Sequence, residues 1–339
     1  MKDLIEQAKR GSRRAIARLI TLVENDEKAA QIAITELHPN SGKAHIIGIT
    51  GPPGSGKSTL VNEIAKEIRR RQRKVGIVAV DPSSPFSGGA LLGDRVRMRD
   101  LAGDDGIFIR SMASRGSLGG LARTTNDIVK ILDAAGFDSV LVETVGAGQA
   151  EVDIASTAHT TLVIETPGMG DEIQTIKAGI LEVADILVLN KADRPGAAKT
   201  LRALRAMLHI GGGNGRYSKE MRHHGQMMAV KNPEEIQREK SDRWEVPILE
   251  TIAIEGKGTE VVADCIEAHE TYLRSSNEWE ERELARSRQE INQLLQARFM
   301  KRLVSEISRS ERNKLILAVA ERRLDPYSAV DELFKRTNK

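Results

Sequence analysis

Apolar residues fall along this chain in two rhythms. Between residues 3 and 23, Leu4, Ile5, Ala8, Ile16, Leu19, Ile20 and Val23 recur at helical spacing with arginines between them, which predicts an amphipathic helical stretch. A second helix is expected over about 26–37, closed by Pro39-Asn40-Ser41-Gly42. The rhythm then changes to short, continuous, branched runs at 45–50, 75–80, 107–109, 139–142, 161–164, 186–189 and 248–252. Runs that do not alternate suit strands buried on both faces of a mostly parallel sheet. Helical spacing returns late in the chain, where Ile291, Leu295, Phe299, Leu303 and Ile307 form an i, i+4 stripe on a highly charged segment. Asp325-Pro326 then pairs an N-cap with a first-turn proline at the start of a final helix. The expected fold is α/β: a mostly parallel sheet flanked by helices, with helical segments at both ends.

The first chemistry lies between the first strand and the helix after it. Gly51-Pro52-Pro53-Gly54-Ser55-Gly56-Lys57-Ser58-Thr59 is a phosphate-binding loop, because strand, glycine-rich turn and helix follow in the required order. Glycines let the backbone wrap an anion and aim its N–H groups inward. Lys57 is expected to reach the β- and γ-phosphates and the Ser58 hydroxyl to bind Mg²⁺. Asp81, Asp94 and Glu143 stand at or after strand ends where they can face that ion, although any single acid there can instead cap a helix. Gly146, just after Glu143-Thr144-Val145, is expected to present its N–H to the γ-phosphate. The motif makes residues 43–264 a phosphate-loop NTPase domain. A helical arm (1–42) precedes it and a helical dimerisation region (265–339) follows, since little domain is left to cover the late apolar stripe.

Composition narrows the partners. The net charge is +3, from 51 basic and 48 acidic residues, too balanced to indicate nucleic acid. The single cysteine, Cys265, excludes an internal disulfide framework. Absence of a long apolar run or a signal-peptide core leads to the expectation of a cytoplasmic protein with no membrane contact. The densest basic run, Arg69-Arg70-Arg71-Gln72-Arg73-Lys74, is expected to complement the dipole at a helix C-terminus. A polar insertion at about 211–244 contains His223-His224, expected on a surface loop because adjacent histidines cannot chelate from one helix face.

A second motif, Asn190-Lys191-Ala192-Asp193, follows the strand at 186–189. A carboxylate at Asp193 can accept from both N1–H and the 2-amino group of guanine, whereas adenine offers neither donor there. Asn190 can support the base or the loop itself, and the Lys191 stem can lie over the ring. Backbone around Ala253 and Ile254 is expected to touch the base as well. The ligand is therefore GTP or GDP, with Mg²⁺.

Taken together, Gly48–Thr59, Val78-Ala79-Val80-Asp81-Pro82-Ser83-Ser84, Leu92-Gly93-Asp94-Arg95, Ser117-Leu118-Gly119-Gly120-Leu121-Ala122, Glu143-Thr144-Val145-Gly146 and Gly170-Asp171-Glu172-Ile173-Gln174 with Lys177 resemble the MeaB/ArgK family. These are G-protein chaperones of adenosylcobalamin-dependent acyl-CoA mutases. The resemblance implies that Asp81, Asp94 and Glu143 lie at the Mg²⁺ and switch region, with Lys57, Glu143 and Asp94 serving catalysis. It also implies a mobile switch loop at about 167–177, with Asp171, Glu172 and Lys177, and a homodimer. The expected activity is GTP hydrolysis, slow alone and stimulated by the partner mutase. Two alternatives are a metal-delivery GTPase and a phosphotransferase acting on a transport protein. Neither a Cys/His cluster nor an acceptor-positioning base supports them. The chain lacks an Asp-x-His-x-x-Gly motif, so it is not expected to bind cobalamin itself.

Overall fold

A computed structural model describes residues 1–82, 99–101, 103–114, 120–144, 157–168, 183–210 and 243–337. All seven expected strands form: β1 (His45–Thr50), β2 (Val75–Pro82), β3 (Ile107–Ser114), β4 (Ser139–Thr144), β5 (Thr160–Glu165), β6 (Ile186–Asn190) and β7 (Ile248–Thr251). They make one sheet in the order β3-β2-β4-β1-β5-β6-β7. Every neighbouring pair is parallel. Each residue of β1, β4, β5 and β6 is buried, which explains their unbroken apolar sequences. With β1 central, the carboxyl ends of β1, β4, β5 and β6 open on one edge, the usual place for a ligand in such sheets.

Alternate strand residues feed two cores. Ile46, Val78, Val140 and Val142 face α5 (Gly120–Ala134) and the three N-terminal helices. Ile47, Ile49, Ile77 and Leu141 face α4 (Lys57–Arg70) and α7 (Thr259–Ser275). A further helix, α6 (Ala197–Ile210), precedes the polar insertion.

The N-terminal stretch is two helices rather than one, α1 (Lys2–Lys9) and α2 (Arg13–Asn25), followed by α3 (Glu27–Leu37). Gly11 turns the chain at φ +80° and the Ser12 side chain accepts from the Ala15 amide to cap α2. This break lets both apolar faces reach one core, where Ile5, Ile16, Leu19 and Ile20 are buried. Arg13 donates to the Asp104 carbonyl at 2.7 Å, and Arg110 pairs with Glu24.

The basic run does more than complement a dipole. Arg69 makes a two-pronged pair with Asp104, both bonds at 2.9 Å. Arg71 reaches Asp264 at 2.6 Å and Glu267 at 2.7 Å, and Arg73 reaches Glu270 at 3.0 Å. Arg71 and Arg73 thus make an ionic seam between the end of α4 and α7, visible only once α7 is in place, while Arg69 ties α4 to the turn before β3.

The chain forms two compact units, Met1–Glu283 and Leu284–Lys339. Helix α8 (Glu278–Glu306) begins in the first and runs on into the second, which also holds α9 (Arg309–Ala320) and α10 (Pro326–Thr337). Ser308 and Glu311 form a capping box on α9. Asp325 caps α10 as expected, accepting from the Tyr327 and Ser328 amides at 2.9 and 3.0 Å. On α8, Ile291, Leu295 and Phe299 are exposed. The helix ends at Glu306, so Ile307 lies beyond the stripe and is buried. Among the described residues no helix is long and apolar enough to cross a membrane.

Candidate nucleotide site

Three strand ends build the site. After β1 the chain turns at Gly51 with φ +145°. A Cβ there would lie 2.1 Å from the Ile164 carbonyl oxygen of β5, so only glycine allows the loop to start this close to the sheet. Gly56, at φ +90°, precedes α4, and a Cβ on it would meet Asn190 Nδ2 at 2.4 Å. These two glycines keep the phosphate loop against β5 and β6.

Lys57 and Ser58 are the first two residues of α4, and Thr59 follows. Lys57 is buried, and its Nζ donates to the carbonyls of Gly51 and Pro52 at 2.9 and 3.0 Å. The amine is thereby held across the loop rather than splayed into solvent. Ser58 Oγ donates to Glu143 Oε1 at 2.7 Å. Glu143 is the buried penultimate residue of β4, in register with Ile49 of β1. A hydroxyl and a carboxylate meeting at the foot of a phosphate loop are hard oxygen donors of the kind Mg²⁺ takes, so these residues fit the ion. One residue on, Thr144 Oγ1 donates to Thr50 Oγ1 at 3.2 Å, tying the ends of β4 and β1 together.

The side expected to read the base hangs on Asn190. Its amide is buried and donates to the Ser55 carbonyl at 2.8 Å. Its Oδ1 accepts from Thr251 Oγ1 and from the Ala253 amide, both at 3.1 Å. Of the two roles open to it in sequence, loop support is the one observed. Lys191, at φ +57°, sends Nζ to the Gly54 carbonyl at 2.6 Å, and the Ala192 amide donates to Thr251 O at 3.1 Å. Asp193 is exposed beyond β6. Ala253 is buried at the start of a short 3-10 turn, whose Ile254 is 87% exposed. The phosphate loop, Asn190-Lys191 and the 253–255 turn therefore form one hydrogen-bonded assembly.

Asp81 lies near the carboxyl end of β2, beside Ala113 of β3. Asp94, Gly146, Asp171, Glu172 and Lys177, with His223 and His224, lie outside the described residues.

Sequence reading passed over several supporting groups. Thr251 is one. Another is a cluster farther along α4, where Lys66 reaches Asp100 at 2.6 Å and Glu63 at 2.7 Å, and Asn62 donates to Asp100 at 3.2 Å. The hydrogen bond from Lys66 holds the Asp100 carboxyl below its usual range. Lys257 is a third; a hydrogen bond to Glu255 raises its amine, and the charge of Asp193 adds to this. The long-range partners, Asn190 for Thr251, Asp100 for Lys66 and Asp193 for Lys257, are brought in by the fold and have no local pattern.

Residues 16–308 match the family model described as methylmalonyl-CoA mutase-associated GTPase MeaB. A GTPase of Pyrococcus horikoshii is 46% identical over 336 residues, covering 98% of this chain and 97% of that protein. The GTPase ArgK of Escherichia coli is 34% identical over 280 residues, covering 81% and 78%. The crystal structure of an LAO/AO transport system kinase superposes with a TM-score of 0.69 at 23% identity, covering 100% of this chain and 97% of that one; this likeness is one of fold. By sequence, the chain belongs to the MeaB family of methylmalonyl-CoA mutase-associated GTPases and is itself a GTPase of the phosphate-loop fold.

Proposed function

We propose that this GTPase is a chaperone of an adenosylcobalamin-dependent acyl-CoA mutase, using the GTP cycle to gate loading, protection or reactivation of the mutase cofactor. The observation that carries the reading is the joining of phosphate loop and base-side loop through Asn190, in a chain whose family is described by its association with methylmalonyl-CoA mutase. Guanine is recognised by Asp193, with Asn190, Lys191, Ala253 and Ile254 shaping the pocket. The phosphates are held by the amides of residues 51–59 and by Gly146, with Lys57 on the transferred group. Ser58, Asp81, Asp94 and Glu143 would hold Mg²⁺, which when bound neutralises charge on the β- and γ-phosphates. Water attacks the γ-phosphorus in line; the bond to the β–γ bridging oxygen breaks, releasing GDP and phosphate. Lys57 and the loop amides stabilise the charge that develops on the phosphoryl oxygens.

The loop at 167–177, with Asp171, Glu172 and Lys177, is the segment assigned to γ-phosphate sensing and partner contact. Two copies associate through the apolar stripe of α8, whose exposed Ile291, Leu295 and Phe299 support that role. Unassisted turnover in such proteins is on the order of 10⁻⁴ to 10⁻² s⁻¹, so stimulation by the mutase is expected.

The test measures hydrolysis and mutase binding together. GTP is expected to change mutase affinity relative to GDP by about 5-fold to about 150-fold, the usual span of coupling between two sites. Identical affinities, with no stimulation of hydrolysis, would reject the chaperone role and leave the GTPase standing.

A further inference from the structure

The amino ends of the strands, at the edge of the sheet away from the nucleotide, hold a buried polar cluster that hydrolysis does not use. His45 begins β1, His159 precedes β5 and Asp185 precedes β6. With His269 of α7 and Arg282 of α8, all are buried. His159 is the most informative. Its Nδ1 accepts from the Ile46 amide at 3.0 Å, so that nitrogen carries a lone pair and the ring proton sits on Nε2, 2.6 Å from Glu283 Oε1. An imidazole that accepts a backbone N–H is neutral. Thr160 Oγ1 lies 2.6 Å from His45 Nε2 and 2.8 Å from His269 Nδ1. Its single proton serves one ring and its lone pair the other, so one of these rings accepts as well.

The same groups clamp the first turns of α8. Arg282 spans both oxygens of Asp185 at 2.9 and 3.0 Å and donates to the His159 carbonyl. Trp279 stacks on His159 with ring centroids 3.8 Å apart, and the Arg274 guanidinium lies 3.7 Å over the indole. Trp244 donates to the Asp185 carbonyl at 2.8 Å and packs 4.6 Å from His269.

We propose that this cluster is an acid-labile latch: residues 278–283 stay docked on the amino ends of β1, β5 and β6 while His159 accepts from Ile46, and protonation of that ring, backed by His45 and His269, releases them. A proton on Nδ1 would set two N–H groups face to face inside a packed site, and the contact has to open. Charged groups face each of the three rings. His45 faces Glu270 at 3.4 Å and the His159 ring, with Arg73 and Arg274 close by. His159 faces Glu283 and Arg282, and His269 faces Asp185 at 3.6 Å, with Tyr272 beside it.

Burial holds the His45 imidazole below its ordinary 6.5, helped by the two arginines and opposed by Glu270. Burial alone would raise the Glu270 carboxyl, but the His45 ring 3.4 Å away and the charges of Arg73 and Arg274 keep it below the usual carboxylate range. A lowered histidine contributes stability that is present above the unfolded value and lost as pH falls through the folded one. The His45 contribution is therefore full above about pH 6.5 and is lost as pH falls below it, where Glu270 is still ionised.

The chain supplies its own probe, because both of its two tryptophans, Trp244 and Trp279, lie in the cluster. Full-length protein would be followed from about pH 8 to about pH 5.5, the span in which histidine changes charge, by tryptophan emission and by peptide-resolved hydrogen exchange corrected for the intrinsic pH dependence. Emission is expected to change reversibly, and residues 278–283 to exchange about 10-fold faster or more at the acid end, a shift equivalent to one pH unit of coupling. Strands β1 and β4 stay protected and far-UV circular dichroism stays constant. His159→Asn keeps an acceptor for the Ile46 amide but does not titrate, and is expected to flatten both responses. A flat wild type, a response that survives in His159→Asn, or acid loss of the whole fold at once would each overturn the latch. Should the variant fail to fold, exchange on the unsubstituted chain decides.

Discussion

At the scale of single residues, Asp193 and Asn190 are proposed to divide the work of holding guanine, and substitution should separate them. Asp193→Asn replaces an acceptor pair by an amide that matches a 2-keto group. GTP affinity is expected to fall about 100-fold, as two charge-assisted bonds are lost, while xanthosine triphosphate gains. A nucleotide titration with unchanged GTP binding, or a wild type that prefers ATP, would refute the base assignment. Asn190→Ala acts differently. It removes the buried amide that serves Ser55, Thr251 and Ala253, and each buried group left without a partner costs about 1–3 kcal/mol. GDP and GTP affinities should therefore fall together, with a lower unfolding temperature, because the residue supports both loops and senses no γ-phosphate. Preferential loss of GTP over GDP would contradict that role.

At the scale of elements, two ionic contacts that look alike in a contact map differ in worth. Arg71 joins the end of α4 to Asp264 and Glu267 of α7, whose side chains are 63% and 36% exposed, and such pairs contribute about 0–1 kcal/mol each. Arg282 joins α8 to Asp185 with the side chains only 5% and 2% exposed. Removing one partner of a buried pair costs about 3–5 kcal/mol, because the other charge stays desolvated. Arg282→Ala is thus expected to lower the unfolding temperature strongly and Arg71→Ala hardly at all; equal effects in thermal melts would undo the comparison. The same logic explains why α8 cannot be treated as a detachable appendage from its first residue, since Trp279 and Arg282 complete the nucleotide-binding unit.

For the whole molecule, that packing changes where the chain can be cut. The sheet and base loop end before Arg274, which by sequence alone makes a cut there look harmless. Yet it would remove Trp279 and Arg282 from the buried cluster. A chain ending at Glu283, the last residue of the first compact unit, is expected to be a monomer with wild-type GTP affinity. One ending at Arg274 should aggregate or bind poorly. Light scattering with nucleotide titration distinguishes them, and a dimer that persists in the longer truncation would move the subunit interface off α8.

The features legible in the sequence were those with short-range causes. Every strand declared itself through a local apolar run and the phosphate loop through its glycines and Lys57-Ser58, while Asn190-x-x-Asp193 marks the loop proposed to read the base. Backbone geometry and burial on both faces constrain neighbouring positions strongly enough to be read in a few residues. The α1–α2 break was also local, in Gly11-Ser12, but the helical period of the apolar residues runs across it and hides it. Partnerships across the fold had no local signal. Arg71 meets an acid 193 positions away, and Ile46 donates to a histidine 113 positions away. The residue types alone say only that these groups are polar; packing of α7 and α8 against the sheet decides which are buried and which must therefore find each other.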